Sequence, residues 1–299
     1  MTKTSNQIVF FGSGIVAAQS LEFLSKHFSI EAVITKPIQT NSRDKVPVID
    51  LSKKLGLEIF TPTNKVELDG LIDKKPFSSQ LGVLIDYGII VSEKVIDYFS
   101  LGILNSHFSL LPLLRGPDPI TFAILSGSDK SGVSLMLISA VIDEGKLIAQ
   151  EELSIKGLDN VELTNKLIAL SNSMLEKFIP RYRSGEITPY PQSDKITPTF
   201  SRKLTKEDGI IDWNKSAEEI ENEIRAYISW PKSTTEIFGI PVIITRAKLS
   251  TLSGKPGEIS YDKNSINIKC SKGSLDIISL KPAGRNEMAI SSFISGYSN

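Results

Sequence analysis

Three residues of this 299-residue chain stand out as able to do chemistry together: Asn105, His107 and Asp143. Asn105-Ser106-His107 closes an apolar run that starts at Ile103. Residues two apart on an extended segment point to the same side, so the carboxamide and the imidazole can face one ligand. As carboxamide and imidazolium they can both donate to the oxyanion of a tetrahedral intermediate, which suits acyl transfer to an amine. Asp143 lies in the apolar, glycine-bounded stretch Val141-Ile142-Asp143-Glu144-Gly145. A carboxylate beside an imidazole favours its charged form and helps take a proton from an attacking amine. No serine or cysteine nucleophile is needed. Each residue alone has a plainer reading: a lone histidine is more often structural, and Asp143 equally suits a turn. The chain has two histidines, and the other, His27, falls at a helix end.

The elements that must position these groups are legible upstream. Ile8–Phe11, Glu31–Thr35, Leu57–Phe60, Leu81–Ile85 and Ile103–Ser106 read as strands, and Ala17–His27, Pro47–Leu55 and Glu93–Phe99 carry apolar residues at helical spacing. This alternation predicts a Rossmann-like parallel sheet covered by helices, with ligands bound beyond the carboxyl ends of the strands. Ser131–Ser139 and Leu147–Leu153 alternate like a hairpin or sheet-edge extension, and Asn160–Phe178 reads as a strong amphipathic helix. Beyond residue 184 the sequence turns rich in Pro, Ser, Thr and charge, as a linker would be. Short strands broken by turns at Phe238-Gly239, Gly254-Lys255-Pro256 and Lys272-Gly273 then predict a small OB-like β-barrel. The expected organisation is a catalytic domain over 1–184, a linker over 185–205 and a barrel over 206–299.

Gly12-Ser13-Gly14-Ile15-Val16-Ala17 follows the first strand and matches a relaxed dinucleotide-binding pattern. The second strand ends Thr35-Lys36-Pro37, without the carboxylate a ribose would need. A tight strand-to-helix turn is the favoured reading.

Bulk properties exclude several classes. A 40% hydrophobic and 23% charged composition is that of an ordinary globular protein. Cys270 is the single cysteine, which rules out an internal disulfide and a cysteine-rich metal site and suits a reducing cytoplasm. No uninterrupted apolar run approaches the roughly 18 to 20 residues of a membrane span, and no metal and no membrane partner are expected. Net charge is zero, and the stretch from Pro180 onward carries 17 basic and 14 acidic residues. That tilt toward nucleic acid is weak.

Residues 101–125, LGILNSHFSLLPLLRGPDPITFAIL, resemble the signature of folate-dependent formyltransferases, and residues 127–147 are similar to that family's following hairpin and aspartate loop. The resemblance implies Asn105, His107 and Asp143 as the catalytic trio. It implies 10-formyltetrahydrofolate as co-substrate, held by Ser109, Leu110, Leu111 and Pro112 and by the wall Tyr87, Gly88 and Ile89. The second half, with Ile211-Asp212-Trp213, Trp230-Pro231 and Lys281-Pro282-Ala283-Gly284-Arg285, looks like that of members acting on initiator methionyl-tRNA. Formyl transfer to the methionine α-amine follows as the expected activity, with an amino-sugar nucleotide as the alternative acceptor. Arg43, Lys45, Arg115, Arg181, Arg183, Arg202, Lys203 and Lys206 are the cations expected to meet the tRNA, and a monomer is expected. The chain departs from the pattern in a shortened loop over 35–45 and in Leu113, which replaces a basic residue. The aspartate loop runs Asp143-Glu144-Gly145-Lys146, and Asp86 replaces a small residue beside the folate wall.

Overall fold

The computed structural model describes residues 6–38 and 46–298. Two compact units divide the chain. The first comprises 1–116, 131–153 and 164–200, and the second 117–130, 154–163 and 201–299.

The first unit is built on a seven-stranded sheet. Its strands are β1 (Gln7–Phe11), β2 (Ser29–Ile34), β3 (Ile59–Phe60), β4 (Gly82–Leu84), β5 (Ile103–His107), β6 (Lys130–Leu137) and β7 (Leu147–Ser154), in the order β3-β2-β1-β4-β5-β6-β7. β1 pairs in parallel with β2 and β4, and β4 with β5, while β6 runs antiparallel to β5. Ile8, Val9, Phe10 and Phe11 are wholly buried, as expected of a central strand covered on both faces. Strand order reverses between β1 and β4, which opens a crevice at their carboxyl ends.

Helices α1 (Ile15–His27), α2 (Pro47–Lys54), α3 (Lys65–Asp73), α4 (Glu93–Tyr98), α5 (Pro119–Leu125) and α6 (Asn160–Arg183) follow in chain order. The spacing of apolar residues missed α3, which starts where the Asn64 side chain accepts from the backbone N–H groups of Val66 and Glu67. α6 passes through Pro180 and ends five residues beyond Phe178. Its last turn is held by hydrogen bonds from the Tyr182 hydroxyl to the Leu101 carbonyl (2.8 Å) and from Arg183 to the Gln7 carbonyl (2.6 Å).

The stretch after α6 is fixed to the first unit. Tyr190 and Leu147 exchange backbone hydrogen bonds at 2.7 and 3.0 Å, and the Arg115 N–H donates to the Thr199 carbonyl at 2.9 Å.

In the second unit, α7 (Ala217–Ala226) starts on a capping box between Ser216 and Glu219. β8 (Ser233–Ile237), β9 (Ile240–Ser250), β10 (Ile259–Tyr261), β11 (Ile266–Lys269), β12 (Ser274–Pro282) and β13 (Met288–Ala289) form an antiparallel sheet in the order β10-β11-β12-β9-β8, with β13 on β12. α8 (Ile290–Tyr297) completes it. Register shifts between β9 and β12 around Ser279 bend the pair. Ile220, Ile237, Leu275, Leu280 and Phe293 fill the concave side.

Candidate active site

Asn105 and His107 stand two apart on β5, both buried. The His107 ring is held from two sides. Nε2 lies 3.0 Å from the Leu114 carbonyl, and Nδ1 lies 3.8 Å from Asp143 Oδ1. A carbonyl can only accept, so Nε2 carries a hydrogen and Nδ1 is left to face the carboxylate. The Asn105 carboxamide makes no hydrogen bond to protein among the described residues, so its N–H groups remain available to a ligand.

Asp143 reaches the histidine from a left-handed backbone (φ 55°). Its other oxygen, Oδ2, accepts from the Gly116 N–H at 2.7 Å. Gln192 clamps the same loop: its Nε2 donates to the carbonyls of Asp143 (2.7 Å) and Gly145 (3.1 Å), and its Oε1 accepts from Arg115 at 2.8 Å. Arg115 also pairs with Glu144 at 2.5 Å. Glu144, one of the departures noted above, thus ties the aspartate loop to the Arg115-Gly116 turn. Nothing in the sequence singled out Gln192, which lies in the supposed linker.

The loop after β5 is tied down by hydrogen bonds. Ser109 Oγ donates to the Leu113 carbonyl at 2.5 Å, and Ser134 Oγ donates to the Ser109 carbonyl (2.6 Å) while accepting from the Leu111 N–H (3.0 Å). Gln150 Nε2 donates to the Leu111 carbonyl at 2.8 Å. Ser109, Leu111 and Pro112 are buried, with Leu111 packed against Met136 and Leu147. Ser109 and Leu111 therefore shape the loop, whereas Leu110 is half-buried.

Tyr87 is buried, and its ring meets Phe11 edge-on at 5.6 Å. Its hydroxyl has no hydrogen-bond partner among the described residues, and burial pushes the phenol up from its ordinary pKa. Gly88 (φ 72°) and Ile89 line the turn that follows. At the glycine-rich turn after β1, an added Cβ at Gly12 would lie 2.6 Å from Ala17 Cβ and 2.7 Å from the Ile85 carbonyl oxygen, so the turn demands glycine. Ile15, at the start of α1, and Ile90, Val141 and Ile142, on the loops beyond β4 and β6, are exposed.

The cations expected to meet nucleic acid fare unequally. Arg43 and Lys45 lie outside the described residues. Arg115 is occupied as above. Arg181 pairs with Glu186 (2.7 Å), Arg183 donates to the Gln7 carbonyl, and Arg202 pairs with Asp208 (2.5 Å). Lys203 and Lys206 are exposed and form no ion pair among the described residues. No cluster of His, Cys, Asp and Glu able to hold a metal ion occurs among the described residues, and no helix there is long and apolar enough to cross a membrane.

Residues 6–179 match the family model "Formyl transferase", and residues 203–298 match "Formyl transferase, C-terminal domain". The chain belongs to the formyl transferase family. Among relatives of this family, the methionyl-tRNA formyltransferase of Roseiflexus castenholzii is 34% identical over 95% of this chain and 94% of its own length. The methionyl-tRNA formyltransferase of Thermodesulfovibrio yellowstonii is 33% identical over 98% of this chain and 96% of its own length. The solved N-formyltransferase of Helicobacter canadensis superposes with a TM-score of 0.70 at 21% identity, covering 90% of this chain and 97% of that one. The likeness to that formyl transferase is one of fold.

Proposed function

We propose that this formyl transferase moves the formyl group of 10-formyltetrahydrofolate to the α-amine of methionine esterified to initiator tRNA, for translation initiation in the cytoplasm. The observation that carries the mechanism is the Asn105 carboxamide: buried, without a protein partner among the described residues, and two residues from a histidine held on both sides. When bound, 10-formyltetrahydrofolate supplies the formyl group, whose bond to the folate nitrogen breaks as the bond to the acceptor nitrogen forms.

The Asn105 carboxamide donates to the negative charge that develops on the formyl oxygen, and the His107 ring two residues along the strand adds electrostatic stabilisation. Asp143 holds His107 in place and draws the proton released by the amine toward the same locus. The residues fit a flat, partly apolar co-substrate: Ile89, Val141 and Ile142 offer apolar surface near the polar trio. Leu110 and the backbone of Ser109, Leu111 and Pro112 form the side tied down by hydrogen bonds. The second unit holds the tRNA, with Lys203 and Lys206 toward phosphates and Arg43 and Lys45 adding charge from the loop over 35–45. Binding through phosphates weakens as salt rises.

Full-length relatives named for methionyl-tRNA, matched across both domains, support this acceptor over an amino-sugar nucleotide. The test supplies purified protein with formyl-folate and, in parallel, initiator Met-tRNA, elongator Met-tRNA and an amino-sugar nucleotide. Formyl-methionyl-tRNA is the expected product. Turnover of the sugar nucleotide alone would overturn the assignment.

A further inference from the structure

The mechanism above leaves one carboxylate at this strand edge unused. Leu84 on β4 pairs with Asn105 on β5 and with Phe11 on β1. Two residues beyond that row lie Ser13, Asp86 and His107. The β1–β4 ladder continues to this next row, since the Ser13 N–H donates to the Asp86 carbonyl at 2.9 Å. Asp86 thus occupies the crevice where strand order reverses, in the row of His107.

Its conformation is unusual. Asp86 has φ 48°, a left-handed backbone uncommon outside glycine and concentrated at functional sites. The carboxylate folds over the turn after β1, where a Cβ on Gly14 would overlap its Oδ2. On the other side the Lys36 ammonium covers Gly88, where an added Cβ would lie 2.5 Å from Nζ. The carboxylate itself makes no hydrogen bond or ion pair among the described residues. Desolvation raises its pKa, and Lys36 opposes this through space. The side chain nevertheless remains exposed to solvent. Ile15, the first residue of α1, and Ile90, two residues beyond Gly88, are 59% and 68% exposed.

We infer that Asp86 is a specificity-determining residue for the acceptor: its carboxylate receives the α-amino group of an aminoacyl ester, and Ile15 and Ile90 receive the apolar side chain. A carboxylate accepts N–H hydrogen bonds from an ammonium or an amine alike. Held by its hydrogens, the nitrogen can turn its lone pair toward the reaction locus in front of Asn105 and His107. The inference rests on the acceptor reading above and adds the negative charge that favours an amino group over a neutral group at that position. The charge comes from Asp86, a position where the family resemblance leads one to expect a small residue.

The test uses the full chain with Asp86→Asn, which keeps the shape and tolerates the left-handed backbone. Initial rates are measured with initiator Met-tRNA and formyl-folate each varied, alongside thermal melts. The expected result is a KM for Met-tRNA raised roughly tenfold, the usual loss for one hydrogen bond to a charged group, with the KM for formyl-folate within about twofold. Lys36→Met should change the same constant in the opposite direction, because it removes a positive charge that repels the arriving ammonium. Unchanged KM values for Met-tRNA in Asp86→Asn, or an equal rise in Lys36→Met, would overturn the inference and leave Asp86 as a counter-charge to Lys36. A wild-type protein that fails to formylate Met-tRNA would instead overturn the acceptor reading itself.

Discussion

Replacing Asp143 by Asn separates charge from shape at the centre of the proposed site. The carboxylate lies 3.8 Å from His107 Nδ1, with the two side chains 11% and 7% exposed. Two unit charges about 4 Å apart interact by about 4 kcal/mol at an effective dielectric near 20. That is a ceiling, because the imidazole and returning water relax around the new amide. If half of the interaction is expressed in the transition state, kcat falls roughly 30-fold, and if all of it is, about a thousandfold. The fold should survive, since an asparagine oxygen can still accept from the Gly116 N–H that now meets Oδ2 at 2.7 Å. The assay is single-turnover formylation of Met-tRNA at saturating co-substrate, paired with a melting curve. A rate within about threefold of wild type, at unchanged Tm, would refute electrostatic support of His107 by Asp143.

Other perturbations probe the frame around the trio. Gln192→Ala removes two hydrogen bonds to the aspartate loop and one to Arg115. At about 1 kcal/mol each, this should lower kcat on the order of tenfold or more while leaving the KM for formyl-folate little changed, as steady-state kinetics would show. Gly145→Ala and Gly157→Ala make a contrasting pair. A Cβ on Gly145 would overlap the Leu137 carbonyl and displace the aspartate loop, whereas Gly157 (φ 71°) has open space around it. The first should abolish most activity, and the second should cost about 1 kcal/mol of stability with activity intact, read from melts and rates together. Asp208 is held well below the usual carboxylate range, first by its hydrogen bonds from Arg202. Because its folded pKa is depressed, its stabilisation is present above the unfolded value of about 3.9 and lost as pH falls below it. The Tm difference between wild type and Asp208→Asn should therefore shrink between pH 6 and pH 3.

The parallel sheet was readable because each strand is an apolar run long enough to be buried on both faces, as Ile8 to Phe11 are. α3 was hidden because it is short, nine residues with Gly70 in its interior, and its start depends on one capping asparagine. Asn105 and His107 were legible from spacing two on a strand. Asp143 was visible as a carboxylate in an apolar, glycine-bounded stretch, but its partnership with β5 came through resemblance, since no local pattern shows that a loop some 36 residues on returns to the strand. Gln192 was invisible: a glutamine among prolines and serines carries no periodicity, and its role exists only through tertiary contact. Sequence does not reveal which cations already have an acidic partner, as Arg115, Arg181 and Arg202 do.

The interleaving of the two units limits how this protein can be taken apart. The family domains follow one another in sequence as 6–179 and 203–298, which invites a cut between them. Residues 117–130 and 154–163 nevertheless group with the second unit, and α5 packs on α7. A fragment ending at Phe200 would carry α5 without α7, exposing Ala123 and Ile124, which are buried in the intact chain. A grafted second domain would have to match that inherited helix as well as its own barrel. The exchangeable module is thus discontinuous in the gene, and chimeras joined at a single seam would inherit a mismatched interior.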